Sequence, residues 1–420
     1  MRTHSTAVLA ALAAALLGLT ACSGTESTAD ARITVQSNWT TSQPQNAPFV
    51  AAIERFTEET GIEVDLVVNG DDLNQVFESD VLAGQEADVV LVNLTDKQLD
   101  WAKDGVVIPL NDQLVEWGLD EIVPTYNVEE WTDEEGNLRG IPYSGFTWPW
   151  WYNKAVFDSV GLEVPTTIED LIAAAPVLRE AGVAPMVIGG NDWSGQKIFL
   201  QVIQSYLAPE RTIEVLGEGT YCDPDVLEGI ELFVRLRDAG VFVDGVEGYT
   251  VDQATSLYFA GQAAIGSMGS WSYLDAPDDI VENTVLGGMP VVAGGQFEAP
   301  TAFQGATGSG WWVSNNGAEK LDIVGQFIQF MYSDEILVAL LEEGGNVPLA
   351  LPESADITAS NPLLAEALTE LPEAVDWAVM PDLYIPASAT NPMYRSVSIA
   401  FTSGNDAQQV CAAMEEAYGQ

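Results

Sequence analysis

The sequence predicts an α/β fold on a largely parallel sheet, in a chain long enough for two to three domains. Three observations carry this. Helix-like and strand-like segments alternate at the spacing of βαβ units through the first hundred residues. The third strand-like segment is apolar without interruption. The 420 residues are 47% hydrophobic, enough to bury full cores in spite of a net charge of −49.

Residues 33–37 read as the first strand. A loop at 38–45 leads to a helix over 47–60 that puts Phe49, Ile53 and Phe56 on one face and stops at Gly61. Residues 62–68 make the second strand. Asp71 or Asp72 caps the next helix, which carries Leu73, Val76 and Phe77. Residues 87–92 make the third strand, whose apolar run suits a sheet covered on both faces. A Trp-rich stretch follows at 140–154. Thr167 with Asp170 forms a capping box before a helix bearing Ile168, Leu171, Ile172, Ala175 and Leu178, closed by Gly182. Further helices are expected over 193–207, 224–239, Val251–Phe259, 320–332 and 407–418. The chain has no internal repeat.

Composition excludes several function classes. Fourteen basic residues against 63 acidic ones cannot build a nucleic-acid footprint, nor a surface for anionic lipid or phosphate-rich ligands. The single histidine is His4. Without it a mature chain has no Ser-His-Asp triad, no Cys-His pair and no histidine-ligated metal. No C-x-x-C spacing joins Cys22, Cys222 and Cys411, and nothing in the chain calls for a metal or another cofactor.

The N-terminus reads as a targeting segment. After Arg2, residues 7–19 form an apolar run too short to span a bilayer as a lasting helix. Leu19-Thr20-Ala21-Cys22 resembles a bacterial lipobox. The resemblance implies a signal peptide over 1–21, cleavage before Cys22 and lipid on its thiol. The plainer alternative is an ordinary secretory signal. Residues 22–31 then form a flexible tether. Loss of Arg2 with the leader takes the charge to −50. Such acidity suits a salty or alkaline exterior and concerns solubility rather than mechanism.

Several stretches, in order, resemble one family: Gly140-Ile-Pro-Tyr143; Trp151-Tyr-Asn-Lys-Ala-Val-Phe157 leading to Pro165-Thr-Thr-Ile-Glu-Asp-Leu171; and Phe259-Ala-Gly-Gln-Ala-Ala-Ile-Gly-Ser-Met-Gly-Ser-Trp271. Gly287-Gly-Met-Pro290, Gly308-Ser-Gly-Trp-Trp-Val-Ser314 and the run from Met380-Pro381 to Tyr394 continue it. Together they are similar to the extracellular solute-binding proteins of ABC importers, in the sugar-binding branch that includes maltose-binding protein. The resemblance implies two α/β lobes of the periplasmic-binding-protein type, with a ligand cleft between them. Lobe one would be 32–143 plus 287–312, and lobe two 144–286 plus 313–420. It also implies a monomeric, lipid-anchored receptor on the outer face of the cell membrane. Such a receptor captures a sugar or oligosaccharide, hands it to the permease subunits and catalyses nothing. Gly140, Gly145, Gly287, Gly288, Gly308 and Gly310 fall near the expected lobe crossings, where each serves either a hinge or a tight turn.

A sugar site needs aromatic faces for C–H bonds and polar partners for hydroxyls. Trp39 follows the first strand, and Asn93 and Asp96 follow the third, where a ligand meets the carboxyl ends of parallel strands. Asp72 sits at a helix start, as a ligand contact or a simple cap. Tyr143, Trp148, Trp150 and Trp151 cluster at the first crossing. Alternation sets Trp148 and Trp150 on one side and Trp151 on the other, and Trp150 is the preferred ligand contact. Trp193 opens a helix in lobe two. The resemblance makes Trp271 a stacking aromatic, and Tyr394 matches a late aromatic position. Trp311 and Trp312 lie at the last crossing, and one of them, taken as Trp311, would reach the cleft.

Cys222 and Cys411 both fall in lobe two by this division, and export invites a disulfide between them, with two buried free thiols as the alternative. Two other functions compete with solute capture. A secreted glycoside hydrolase needs a carboxylate pair about 5–9.5 Å apart, which 63 acids do not exclude. A surface adhesin would not need glycine-rich crossings. The absence of G-x-S-x-G and H-E-x-x-H, with the lipobox and the ordered segments, favours binding.

Overall fold

The computed structural model describes residues 31–350, 352, 354–355 and 361–419, with 95, 134, 306 and 307 excepted. The signal segment, Cys22 and the tether as far as residue 30 lie outside the described residues. In chain order the strands are β1 (Arg32–Ser37), β2 (Glu63–Val68), β3 (Val89–Asn93), β4 (Ile141–Pro142), β5 (Ser144–Trp148), β6 (Trp150–Asn153), β7 (Ala184–Val187), β8 (Ala263–Ser267), β9 (Thr284–Gly287), β10 (Thr301–Gly305), β11 (Ser309–Val313), β12 (Val347–Pro348) and β13 (Asp376–Trp377).

They form three sheets. The first has the order β2-β1-β3-β11-β4. Its β1 runs parallel to β2 and β3, as the alternating pattern requires, while β11 enters antiparallel beside β3 and β4. All of Val89, Val90 and Leu91 on β3 are fully buried, because helices cover both faces. The second sheet, β7-β8-β6-β9, is mixed: β7 and β8 are parallel, and β6 is antiparallel to both of its neighbours. The third, β12-β5-β10-β13, is made of segments that pass between the other two.

Each of the first two sheets has its own apolar core. Ile33, Phe49, Phe56, Leu91, Trp311 and Trp312 lie in one. Trp150, Phe199, Phe233, Ile265, Phe401 and Val410 lie in the other. The division differs from the sequence expectation at two places. Residues 313–340, assigned to lobe two, pack in the first core through Val324, Phe327, Ile328, Met331, Ile336 and Leu340. The helices Leu321–Met331 and Asp334–Glu342 lay their apolar faces against the helix Asn46–Thr60, and Lys320 bonds buried Asp88 at 2.9 Å. Residues 288–300, assigned to lobe one, pack instead on the second core through Met289 and Val292. Backbone hydrogen bonds from Val291 to Thr166 and from Ile168 to Val291 hold them there. Chain order after a crossing says nothing about which apolar face remains uncovered, and that face decides the packing.

The helix Ile168–Glu180 begins with the capping box of Thr167 and Asp170. The helix Leu73–Ala83 follows Asp72, whose side chain makes no capping bond, because a tight turn at Gly70–Asp72 leads directly into it. Cys222 and Cys411 are joined by a disulfide, with Cα atoms 5.0 Å apart. Among the described residues no single helix is long and apolar enough to cross a membrane.

Candidate functional site

Where β5 and β10 abut the second core, a small aromatic cluster is exposed at its edge. Phe146, Trp148 and Phe303 are buried in it, and the half-buried Trp193 and Trp271 pack against them. Alternation along β5 sends Phe146 and Trp148 to the same side. The Trp148 ring meets Trp193 edge-on at 5.0 Å between centroids and Trp271 at 5.3 Å. Trp193 and Trp271 lie 6.1 Å apart with 52° between their planes. Trp148 Nε1 donates to Ser267 Oγ at 2.6 Å, which locks the central ring.

Polar groups hold this corner from behind. Asp192 caps the helix Trp193–Ile203: one oxygen accepts from the Ser194 amide and hydroxyl, the other from the Val251 amide. Burial pushes the Asp192 carboxyl above its usual range, and these bonds to Ser194 and Val251 pull the other way. Both its oxygens accept bonds from the protein, and through the cap Asp192 positions Trp193. Further along the same helix, Gln201 Nε2 donates to the Thr301 carbonyl at 2.6 Å, and Gln204 exchanges two bonds with Val379. Buried Lys197 pairs with Asp382. This helix and the turn that ends it thereby tie two passing segments, at Thr301 and at residues 379–382, to the second core.

The first sheet supplies polar loops at the carboxyl ends of its parallel strands. Gln36 Nε2 donates to Asn69 Oδ1 at 2.7 Å, while Gln36 Oε1, Asn38 Oδ1 and Gln45 Oε1 are buried with no hydrogen-bond partner. Half-buried Asn93 accepts from Ser309 Oγ at 3.4 Å. These loops and the aromatic corner share neighbours. A Cβ on Gly344 would stand 3.1 Å from the Gln45 Cα, and one on Gly345 would stand 3.5 Å from the Ser270 carbonyl.

The structure sorts the residues that the sequence singled out. Trp193 and Trp271 stand together in the corner, and half-buried Tyr394 lies on the helix Ala387–Phe401, which packs on the helix of Trp193. Asn93 and exposed Asp72 lie at strand ends of the first lobe. Asp96 opens the helix Asp96–Lys103, and its side chain lies outside the described residues. Four others are core, which corrects the expectation for each. Trp39 is 4% exposed and meets Phe49 edge-on. Tyr143 is buried against Trp311 and donates from its hydroxyl to the Met331 carbonyl at 2.9 Å. Trp150 is 1% exposed, inside the second core. Trp311 is fully buried between Phe49 and Phe327. The crossing glycines are not left-handed turns either: none of the six has a positive φ. At Gly308 a Cβ would stand 2.1 Å from the Ser144 carbonyl, so close strand approach is what demands glycine there.

The sequence prefers Trp150 to Trp148 as the ligand contact, yet Trp148 is the ring on which the corner rests. Pro149 ends one strand and β6 starts another, so the alternation does not run through the Trp148-Pro-Trp150 segment. The usable signal was the Phe146/Trp148 pair on the first strand alone.

Three comparisons bear on this arrangement. The sequence profile of the bacterial extracellular solute-binding proteins matches residues 40–337. A probable sugar-binding periplasmic protein of Rhizobium meliloti is 28% identical over 185 residues, a match that spans 41% of this chain and 42% of that protein. A crystal structure of a probable secreted solute-binding lipoprotein from Streptomyces coelicolor superposes with a TM-score of 0.81 and 38% identity, covering 93% of this chain and 98% of that one. A maltose-bound protein of T. maritima shares the fold, with a TM-score of 0.75 at 17% identity over 92% of this chain and 98% of that one. Two α/β lobes, a sheet of passing strands between them and a profile match over most of the chain agree: this chain belongs to the bacterial extracellular solute-binding proteins.

Proposed function

We propose that this protein is the substrate-binding component of an ABC importer. It captures a carbohydrate by closure of its two lobes and delivers it to the membrane permease, while lipid on Cys22 holds it at the outer face of the membrane. The observation that carries the reading is the corner of Trp193 and Trp271 on Trp148 in one lobe, with amide side chains at the strand ends of the other. Indole faces match the C–H faces of a pyranose, and amide oxygens match its hydroxyls. The name of the Rhizobium meliloti relative supports a sugar, and that of the Streptomyces coelicolor neighbour supports the lipid anchor. An extracellular-binding protein of an ABC transporter in Pyrococcus horikoshii, 32% identical over 152 residues, supports a permease as partner. These relatives are receptors, which favours capture over glycoside hydrolysis. Closure is favoured only by as much as the ligand prefers the closed lobes.

A melting-temperature screen over mono- and oligosaccharides tests the reading. A cognate sugar at 100 times Kd should add about 2.7 kcal/mol of stability. No stabilisation by any sugar removes the carbohydrate assignment. For the anchor, Cys22→Ser should shift the protein from the membrane fraction to the medium or leave it unprocessed.

A further inference from the structure

Among the described residues the chain changes lobes at three places, and at each it changes partners within a few residues. Entering β5, Tyr143 belongs to the first core and donates to the Met331 carbonyl. By Thr147 the partners are those of lobe two. The Thr147 amide donates to Ser270 Oγ at 3.4 Å, and its hydroxyl meets the Tyr273 hydroxyl at 3.0 Å. Leaving β10, Gly305 lies against the Phe146 ring, whereas the Gly308 carbonyl accepts from the Leu94 amide and Ser309 pairs with Asn93 in the first sheet. Before β12, Leu340 belongs to the first core, and Leu341 to a cluster with Trp151 and Tyr273. Gly344 then lies by Gln45, while Gly345, left-handed at φ +63°, lies by Leu274 and Ser270.

The three change-overs converge. A Cβ on Gly308 would stand 3.0 Å from the Gly145 Cα, besides its clash with the Ser144 carbonyl, and β12 pairs Val347 with Gly145 and Pro348 with Ser144. Backbone meets backbone there, so a rotation disturbs few side chains.

Beyond that point the passing segments are bound to lobe two. Phe146, Trp148, Phe303, Ala378 and Met380, all on passing segments, share one apolar cluster, and Trp193, Val251 and Trp271 of lobe two cover it. Ser267 holds the Trp148 indole, Gln201 and Gln204 hold Thr301 and Val379, and Lys197 holds Asp382. Lobe two also touches lobe one directly: half-buried Leu383 packs on the first core, and the helix Ala387–Phe401 approaches the helix Asp96–Lys103. Surface packing of this kind exchanges partners as bodies turn.

We infer that the third sheet, the aromatic corner and lobe two move as one body, and that lobe one swings against it about a pivot where Gly308 and the Gly344–Gly345 turn converge on Ser144 and Gly145. This rests on the closure proposed above and adds where it happens. Trp148, Trp193 and Trp271 then keep their mutual geometry whether the lobes are open or shut.

Pulsed dipolar distances between spin labels test it in the Cys22→Ser protein with its disulfide intact. Labels are attached in pairs through Leu82→Cys on lobe one, Gln304→Cys on β10 and Val177→Cys on lobe two, all exposed positions. Without sugar, the Gln304–Val177 distribution should be at least about twofold narrower than Leu82–Gln304 and Leu82–Val177. Where maltose, cellobiose or xylobiose shifts the Leu82–Val177 distance, Leu82–Gln304 should shift with it and Gln304–Val177 should stay in place. A Gln304–Val177 distance that is equally broad, or that moves while Leu82–Gln304 stays, would put the sheet on lobe one or between the two bodies. Either result overturns the pivot and leaves closure intact. Three narrow distributions that none of the sugars moves overturn the pivot and closure together.

Discussion

Gln201 Oε1 accepts a 3.0 Å hydrogen bond from Trp150 Nε1 in the interior of the second lobe. The same glutamine donates to the Thr301 carbonyl at the start of β10, so one side chain joins the core tryptophan to a strand that passes between lobes. This bond explains why Trp150 is buried whole: its single donor is satisfied inside the protein, and nothing is lost by excluding water.

The two tryptophan environments predict opposite phenotypes. Trp150→Ala should cost about 3–5 kcal/mol of unfolding free energy and leave sugar affinity of the folded fraction unchanged. Trp271→Ala should cost about 1 kcal/mol or less in stability and fall mainly on binding. Denaturant unfolding paired with titration on both variants checks this. Equal destabilisation would place Trp271 in the core as well.

The disulfide closes a loop between residues 189 apart in sequence and ties the helix Ala407–Ala417 to the turn before the helix Pro224–Asp238. Chain entropy alone gives a contribution of about 5 kcal/mol for a loop of that length, as an upper figure. The Cys222→Ser, Cys411→Ser variant should therefore unfold at clearly lower denaturant, with the aromatic corner unaffected. An unchanged midpoint would mean that Tyr221, Tyr418 and the Glu415 bond to the Cys222 amide suffice to hold the helix.

Lys197 is 4% exposed, and burial lowers its pKa although Asp382 raises it. Removing the partner leaves an ammonium without compensation. Asp382→Asn should cost about 3 kcal/mol or more, whereas Lys197→Met combined with Asp382→Leu should recover most of the loss. Thermal melts of the three proteins decide it. A harmless Asp382→Asn would show that water reaches Lys197.

Burial raises the carboxyl pKa values of Glu130, Asp192, Asp275 and Glu366. Such groups hold a proton more firmly folded than unfolded. Their contribution to stability is complete below the unfolded value of about 4 and is lost as pH rises through the folded values. The melting temperature should thus rise as pH falls from 7 to about 5. Asp225, held down by Arg211, has the opposite sign, but only below about pH 4. Repulsion within a chain of charge −49 predicts, in the same direction, a melting temperature that climbs with added salt at pH 7. A drop on mild acidification, or indifference to salt, contradicts the respective claim.

The sequence by itself determined the local elements and the family. Period and stop signals set the helix Asn46–Thr60, the capping box set the start of Ile168–Glu180, and the apolar run set β3 inside its sheet, because each is a property of neighbours along the chain. It also brought Trp193 forward as the opening of a helix, and Trp271 through the family resemblance. Only the tertiary structure decided how the tryptophans were used. Trp148, Trp150 and Trp151 lie within four positions, yet they belong to three different apolar clusters. Alternation gives the relative side of residues on one strand, but not which side meets a core, and it lapses where Pro149 separates two strands. Likewise the amphipathic helix at Leu321–Met331 was legible, and its lobe was not, because an apolar stripe specifies that it must be covered and leaves the covering surface to the fold.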